Sequence, residues 1–404
     1  MESKLEFINE SLLEDLLKDY LGSGAKITKV TRKSIPVGDN FSSELLRITI
    51  GYSIPTSIEE QKLSLIAKYL PDDSFLIKFS EEMKSFKREM LMYSSTLLEM
   101  YSFGCLKCVA PKPYAISTKP KPTILLEDLS ILDYRPGSRD KGLDLNHCLY
   151  ALDRLAAFHA SSVALHERNP RSMEVYDQAL FADVESMNAL MTTGFREVIN
   201  TCKRWPELNK YAPKLTSLQE DFMVNLLAAN KPSTNFNVLN HGDFWINNIM
   251  FLYDSIGHIE DVRFIDYQVL CYSSPSIDLH YFLIMGADVQ TKQKATELLR
   301  RYHEKLIHYL IKLSAKTVPP TWDEFFEDFR SRAFYGIVTA AVALPLMKAG
   351  NRPDSSIEGF LNSEGEEGYR HYAFNNSSYL KELTTSFTFY EGLGVFNLPH
   401  SLKS

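Results

Sequence analysis

The chain has 404 residues, 45% apolar and 24% charged, as in an ordinary soluble globular protein. At roughly 100–200 residues per domain it has room for two or three domains, or one large two-lobed unit. Its 44 basic residues against 51 acidic ones leave a net charge of −7. That argues against a dedicated nucleic-acid binder, though not against a local basic site for a phosphate.

In chain order, Leu5, Ile8, Leu12, Leu13, Leu16 and Leu17 have helical spacing, and Leu21-Gly22-Ser23-Gly24 supplies a stop. The charges within Met1–Glu6 interrupt the apolar run that a signal peptide needs. Lys26–Ile35, Glu44–Tyr52 and Leu63–Tyr69 are β-branched or alternating runs separated by turn residues, which reads as antiparallel strands. Glu81–Phe103 returns to helical spacing, and Pro111–Ser117 and Thr123–Leu129 read as two more strands. The five cysteines (Cys105, Cys108, Cys148, Cys202, Cys271) are odd in number and irregularly spaced, unlike a disulfide framework. Cys105-Leu-Lys-Cys108 lacks two further ligands at zinc spacing and reads as a pair of reduced thiols.

From about Ser130 the pattern is mainly helical, over Asp144–Leu165, Tyr176–Thr201 and Leu208–Ala229. A strand-rich island from Phe236 to Asp266 interrupts it, before Thr291–Leu313, Trp322–Met347 and Ser378–Tyr390. The longest apolar stretch, Ala333–Met347, falls short of the ~20 residues that span a bilayer and contains Pro345, so a buried helix is expected. Gly350–Tyr372, rich in Gly, Glu, Asn and Ser, reads as a long loop. The expected organisation is α+β and bilobal. A β-rich lobe covers 1–130, opening with a helix at about 1–21, and a mainly helical lobe covers 131–404.

The β island carries the chemistry. It runs Asn240-His241-Gly242-Asp243-Phe244-Trp245-Ile246-Asn247-Asn248, and 18 residues past Asn248 comes Asp266 in Phe264-Ile265-Asp266-Tyr267-Gln268. Phosphoryl transfer from a nucleotide needs one carboxylate to orient the acceptor hydroxyl and take its proton. It also needs hard oxygen ligands to hold Mg²⁺ against the phosphates. Asp243 suits the first task, and Asn248 with Asp266 the second. His241 suits either the metal-binding loop or a structural hydrogen bond to the loop backbone. Trp245 suits either stacking on substrate or packing.

Seven segments now stand in a telling order: Val37–Glu44, Leu65–Lys68, Phe86–Tyr93, Leu125–Leu129, His241–Asn248, Phe264–Gln268 and Ser274–Leu279. From about Lys26 to Tyr390 the chain resembles the ecdysteroid kinase-like (CHK kinase-like) family, within the aminoglycoside phosphotransferase and choline kinase group. The resemblance implies a protein-kinase-like fold and an ATP-dependent, Mg²⁺-assisted kinase for a hydroxylated small molecule. It implies Asp243 as base, Asn248 and Asp266 as metal ligands, and Lys68, paired with Glu89, on the nucleotide phosphates. Gly38, Asn40, Ser42 and Ser43 lie in the turn where related kinases cover the phosphates, although one glycine there leaves a plain hairpin loop equally open. Glu127 and Leu129 flank the hinge whose backbone would bond adenine. Asp278 matches a structural aspartate that holds the catalytic loop, and His159 a core histidine.

The Ser274–Leu279 match follows Asp266 within about a dozen residues, leaving no room for a long peptide-docking segment. A small acceptor is therefore expected, an ecdysteroid by resemblance. A xenobiotic alcohol or phenol, choline or ethanolamine, and an inactive kinase-fold binding protein stand as alternatives. The expected setting is the cytoplasm, with no membrane span and no nucleic-acid partner.

Overall fold

The computed structural model describes residues 8–21, 24–35, 43–57, 59–70, 72–350, 352, 354–363 and 365–397. The chain divides into two compact units, residues 1–81 with 110–135 and residues 82–109 with 136–404. It has the expected α+β layout, a five-stranded sheet in the N-terminal region and a mainly helical remainder.

In the first unit, β1 (Lys26–Ser34), β2 (Glu44–Ser53), β3 (Gln61–Tyr69), β4 (Pro113–Ser117) and β5 (Thr123–Glu127) form one sheet in the order β1-β2-β3-β5-β4. Every neighbouring pair is antiparallel. Successive side chains of a strand point to opposite faces, so Leu46, Ile48 and Ile50 of β2 share one. There they join Leu65, Ala67 and Leu125 and the helical residues Leu13, Leu16 and Leu17 in a single apolar cluster. Burying each of these leucine and isoleucine side chains stabilises the unit by ~1.5–3 kcal/mol. Just past β5, the buried carboxylate of Asp128 accepts hydrogen bonds from the Ser130 hydroxyl (2.6 Å) and N–H (3.1 Å), Ser64 Oγ (2.7 Å) and Arg47 Nε (2.8 Å). Burial pushes its pKa up, but these donors outweigh burial and hold it below the usual carboxylate range.

The segment 82–109, expected in the N-terminal lobe, has its contacts in the second unit. The physical reason is Arg88, which is fully buried. Its guanidinium donates to the Val175 carbonyl (3.1 Å), the Gln178 carbonyl (3.0 Å) and the Asp177 carboxylate (2.6 Å). The same bonds explain why the helix expected from Tyr176 starts only at Glu185. The helix expected over 81–103 breaks at Lys84, where φ is +52°, into Ser74–Glu82 and the stretch from Ser85 to Ser102.

Elsewhere in the second unit, the helix Leu145–Arg168 packs on Ala295–Lys312, and Ala333–Lys348 packs on Ser276–Met285. Ala333–Lys348 is buried nearly all round, as its continuous apolar sequence requires. Gly336 lies within it because a Cβ there would sit 1.9 Å from the Tyr390 hydroxyl. Residues 350–372 are not one long loop. They contain a helix at Ile357–Leu361, capped by Ser356, and the start of a second at Tyr369–Asn375. Each is under two turns, too short to leave a period in the sequence, and each is held by buried rings, Phe360 in the first and Tyr369 with Phe374 in the second. Among the described residues no helix is long and apolar enough to cross a membrane.

Candidate active site

A hairpin of Ile249–Tyr253 and Ile259–Phe264 carries Asn248 and Asp266 at its ends. Its register sets Ile249 opposite Phe264, and the Ile265 N–H donates to the Asn248 carbonyl at 3.0 Å. Asn248 and Asp266 therefore leave adjoining strand ends, one residue apart in register. Asp266 has φ +68°, in the left-handed region that Asp tolerates better than most side chains.

The loop before the hairpin is held by groups that only the fold assembles. Val238–Asn240 pairs with Cys271–Ser273, and the chain then turns through His241-Gly242-Asp243. Gly242 has φ +82°, and a Cβ there would lie 2.0 Å from the Val269 carbonyl oxygen, so no other residue fits without moving backbone. Asp278, fully buried, accepts the His241 N–H (2.7 Å) on Oδ2 and the Gly242 N–H (2.8 Å) on Oδ1. His159 Nε2 lies 3.0 Å from Oδ2 and, because an ionised carboxylate only accepts, donates to it. His159 Nδ1 then accepts from the Tyr302 hydroxyl at 2.6 Å. Asn240 closes the cluster, its Oδ1 accepting the Asp278 N–H at 3.2 Å.

At the loop's centre Asp243 is half-buried. Its Oδ2 accepts from Asn248 Nδ2 at 3.0 Å, and its carbonyl accepts from the same amide at 2.9 Å. The buried Tyr281 phenol is held well above its usual pKa, by burial first and then by the Asp243 carboxylate. With Nδ2 committed to Asp243, Asn248 presents Oδ1 as a hard oxygen donor. One amide oxygen and the Asp266 carboxylate suit Mg²⁺, which keeps waters and phosphate oxygens in its shell and needs few protein ligands. Among the described residues no group of three or more His, Cys, Asp or Glu side chains is placed to cage a metal.

Glu89 is fully buried in the helix Ser85–Leu91, within charge range of Tyr93 and Tyr267, whose rings meet edge-on at 5.7 Å. Burial first, and then the Glu89 charge, holds the Tyr93 phenol well above its usual pKa. His241 Nε2 lies 3.0 Å from the Ile265 carbonyl, a bond within the loop backbone. Trp245 is buried, with the Arg139 guanidinium 5.7 Å from its ring centre.

The remaining sequence candidates lie in the first unit. Lys68, 3% exposed near the end of β3, stands opposite Leu45 on β2 and Ile124 on β5. Ser43 is buried just before β2, whereas Gly38, Asn40 and Ser42 lie outside the described residues. At the expected hinge, the Glu127 N–H donates to the Lys112 carbonyl (2.8 Å) and the Leu129 carbonyl accepts from the Tyr134 N–H (3.1 Å). Those two backbone groups already have intramolecular partners.

Sequence reasoning missed Asn240 and Tyr302 as parts of this network.

Residues 37–315 match the model of the ecdysteroid kinase-like family. No curated protein matches the chain. Among solved structures the chain is similar to an ethanolamine kinase of Plasmodium vivax, at 12% identity and a TM-score of 0.45, over 95% of this chain and 88% of that one.

Proposed function

The chain belongs to the ecdysteroid kinase-like family, and we propose that it moves the terminal phosphoryl group of ATP to a hydroxyl of a small molecule. The observation that carries this reading is the locked pair of Asp243 and Asn248, with Asp266 on the adjoining strand end. Asp243 orients the acceptor hydroxyl and takes its proton as the new O–P bond forms and the bond to the nucleoside diphosphate breaks. Asn248 and Asp266 would hold Mg²⁺, which supplies charge neutralisation at the phosphate oxygens. Lys68 and Glu89 are assigned to nucleotide binding. Ser43, with Gly38, Asn40 and Ser42, is assigned to the turn over the phosphates, and Glu127 and Leu129 to the adenine side.

The family favours an ecdysteroid acceptor, whose phosphate ester would be the inactive form. The test is a screen of ecdysteroids, phenols, choline and ethanolamine with labelled ATP, run beside Asp243→Asn. An ecdysteroid should become labelled by the parent. Turnover should fall roughly 10²–10⁴-fold in the variant, as for loss of a general base. The Michaelis constant for ATP should change much less, because the lost interaction belongs mainly to the transition state. Variant turnover within a few-fold of the parent would refute the role of Asp243. Labelling of choline or a phenol alone would refute the acceptor.

A further inference from the structure

Asp266 sits in a segment pinned on both sides to one atom. Two residues before it, the Phe264 N–H donates to the Val109 carbonyl at 2.7 Å, and one residue after it the Tyr267 hydroxyl donates to the same carbonyl at 3.1 Å. A carbonyl oxygen has two lone pairs, so it can take both donors. Val109 is fully buried, and its own N–H donates to the Tyr101 hydroxyl at 3.0 Å, which holds the anchor in turn. Between the two pins, the Ile265 N–H meets the Asn248 carbonyl, and the Ile265 carbonyl lies 3.0 Å from His241 Nε2. Tyr267 is itself fully buried, its ring packed against His241 (centres 4.9 Å apart), Tyr93 (5.7 Å) and Phe158 (6.1 Å). A residue other than glycine keeps φ near +68° only where its surroundings over-determine it, and these bonds do so for Asp266.

We propose that Tyr267 is a positioning residue for the metal: its hydroxyl, anchored on the Val109 carbonyl, holds Asp266 in the left-handed conformation that presents its carboxylate to Mg²⁺ together with Asn248. The proposal rests on the reading of Asp266 and Asn248 as metal ligands. Tyr267 is not a ligand and acts through Asp266. Without the hydroxyl the segment keeps only its Phe264 pin, Asp266 gains freedom, and the cost of ordering it falls on metal binding. The Val109 carbonyl would still accept from Phe264, so no buried group is left without a partner and the fold is spared.

The test is Tyr267→Phe in the full chain, with calorimetry of β,γ-imido-ATP binding in Mg²⁺ and in EDTA. In the parent Mg²⁺ should tighten binding, because the metal joins the phosphates to Asn248 and Asp266. Tyr267→Phe should shrink that gain roughly 3–10-fold, as for one hydrogen bond, and leave the affinity in EDTA within about twofold. A merely structural loss would weaken both affinities alike. In an Asp266→Asn background the same change should shrink the gain no further, because the charge it positions is gone. An undiminished gain, equal weakening with and without the metal, or an equal fall in both backgrounds would overturn the proposal. A second measurement is made on the parent. The Tyr267 hydroxyl proton should exchange slowly with solvent and give a resolved NMR resonance, assigned by its loss in Tyr267→Phe. Its absence from a parent whose nucleotide binding Mg²⁺ still tightens overturns the role of Tyr267 alone. A parent that shows the resonance yet binds the nucleotide equally well in EDTA overturns the metal reading of Asp266, and the role of Tyr267 with it, while the bond to Val109 stands.

Discussion

Asp278→Asn should loosen the catalytic loop, and the geometry sets the size of the effect. The carboxylate has three donors facing two oxygens: the His241 N–H and His159 on Oδ2, and the Gly242 N–H on Oδ1. An asparagine does best with its oxygen in the Oδ2 position, which keeps two of the bonds. Its NH₂ then meets the Gly242 N–H, donor against donor. The lost bond to a charged acceptor is worth ~1.5–3 kcal/mol, and the two kept bonds weaken once their acceptor is neutral. The offset is that a buried carboxylate need no longer be desolvated. The net loss is about 2–4 kcal/mol, a large share of the ~5–15 kcal/mol that holds a typical native fold. The three tryptophans, Trp205, Trp245 and Trp322, all lie in the second unit, so intrinsic fluorescence in urea reports the unit that carries the change. For a slope near ~3 kcal/mol/M the unfolding midpoint should drop by about 1 M with the slope unchanged. A shift below ~0.2 M would show that the Asp278 bonds do not carry the loop and would refute the reasoning.

Asp266→Asn keeps a residue that tolerates φ +68° and removes only the charge, so melting should be close to the parent. Mg²⁺-dependent turnover should fall at least ~10²-fold, and turnover near the parent's would remove Asp266 from the metal site. Gly242→Ala adds a Cβ 2.0 Å from the Val269 carbonyl at φ +82°. The left-handed backbone alone costs ~1–2 kcal/mol, so a melting temperature equal to the parent's would contradict the packing. His280, stacked on Phe329, has both ring nitrogens engaged, Nε2 with the Phe329 carbonyl (2.8 Å) and Nδ1 with the Tyr390 hydroxyl (2.9 Å). Burial, the largest cause, lowers its pKa from 6.5 to about 3. The unfolded chain therefore binds a proton below pH ~6.5 that the native protein refuses until pH ~3. The stability held above pH ~6.5 should be lost as pH falls, by roughly 3 kcal/mol at pH ~4.5. Urea midpoints at pH 7 and pH 4.5 should fall further apart in the parent than in His280→Phe, and equal differences would sink the assignment.

The strands Glu44–Ser53 and Gln61–Tyr69 and the helix Ala333–Lys348 are legible in the sequence because one face, or every face, of each is apolar at its own period. The turn chemistry of Gly242 and the oxygen donors Asp243, Asn248 and Asp266 are legible too, because they stand within one short island. The allocation of 82–109 is not. Arg88 sits among charged neighbours in a helix that looks solvent-facing, and its partners at Val175, Asp177 and Gln178 lie almost 90 residues away. The helices within 350–372 are equally hidden, since one or two buried rings, Phe360 in the first and Tyr369 with Phe374 in the second, hold segments too short to show a period. Local pattern alone thus settles the types of element and which chemical groups the loop carries, because backbone preference and amphipathic period act over a few residues. Only the tertiary structure decides which charges are buried and what satisfies them. Asp278 under His241 and Gly242 and His159 between Asp278 and Tyr302 are each joined across more than 35 residues of chain. A buried donor or acceptor is stable only when its partner arrives, and no local rule says from where.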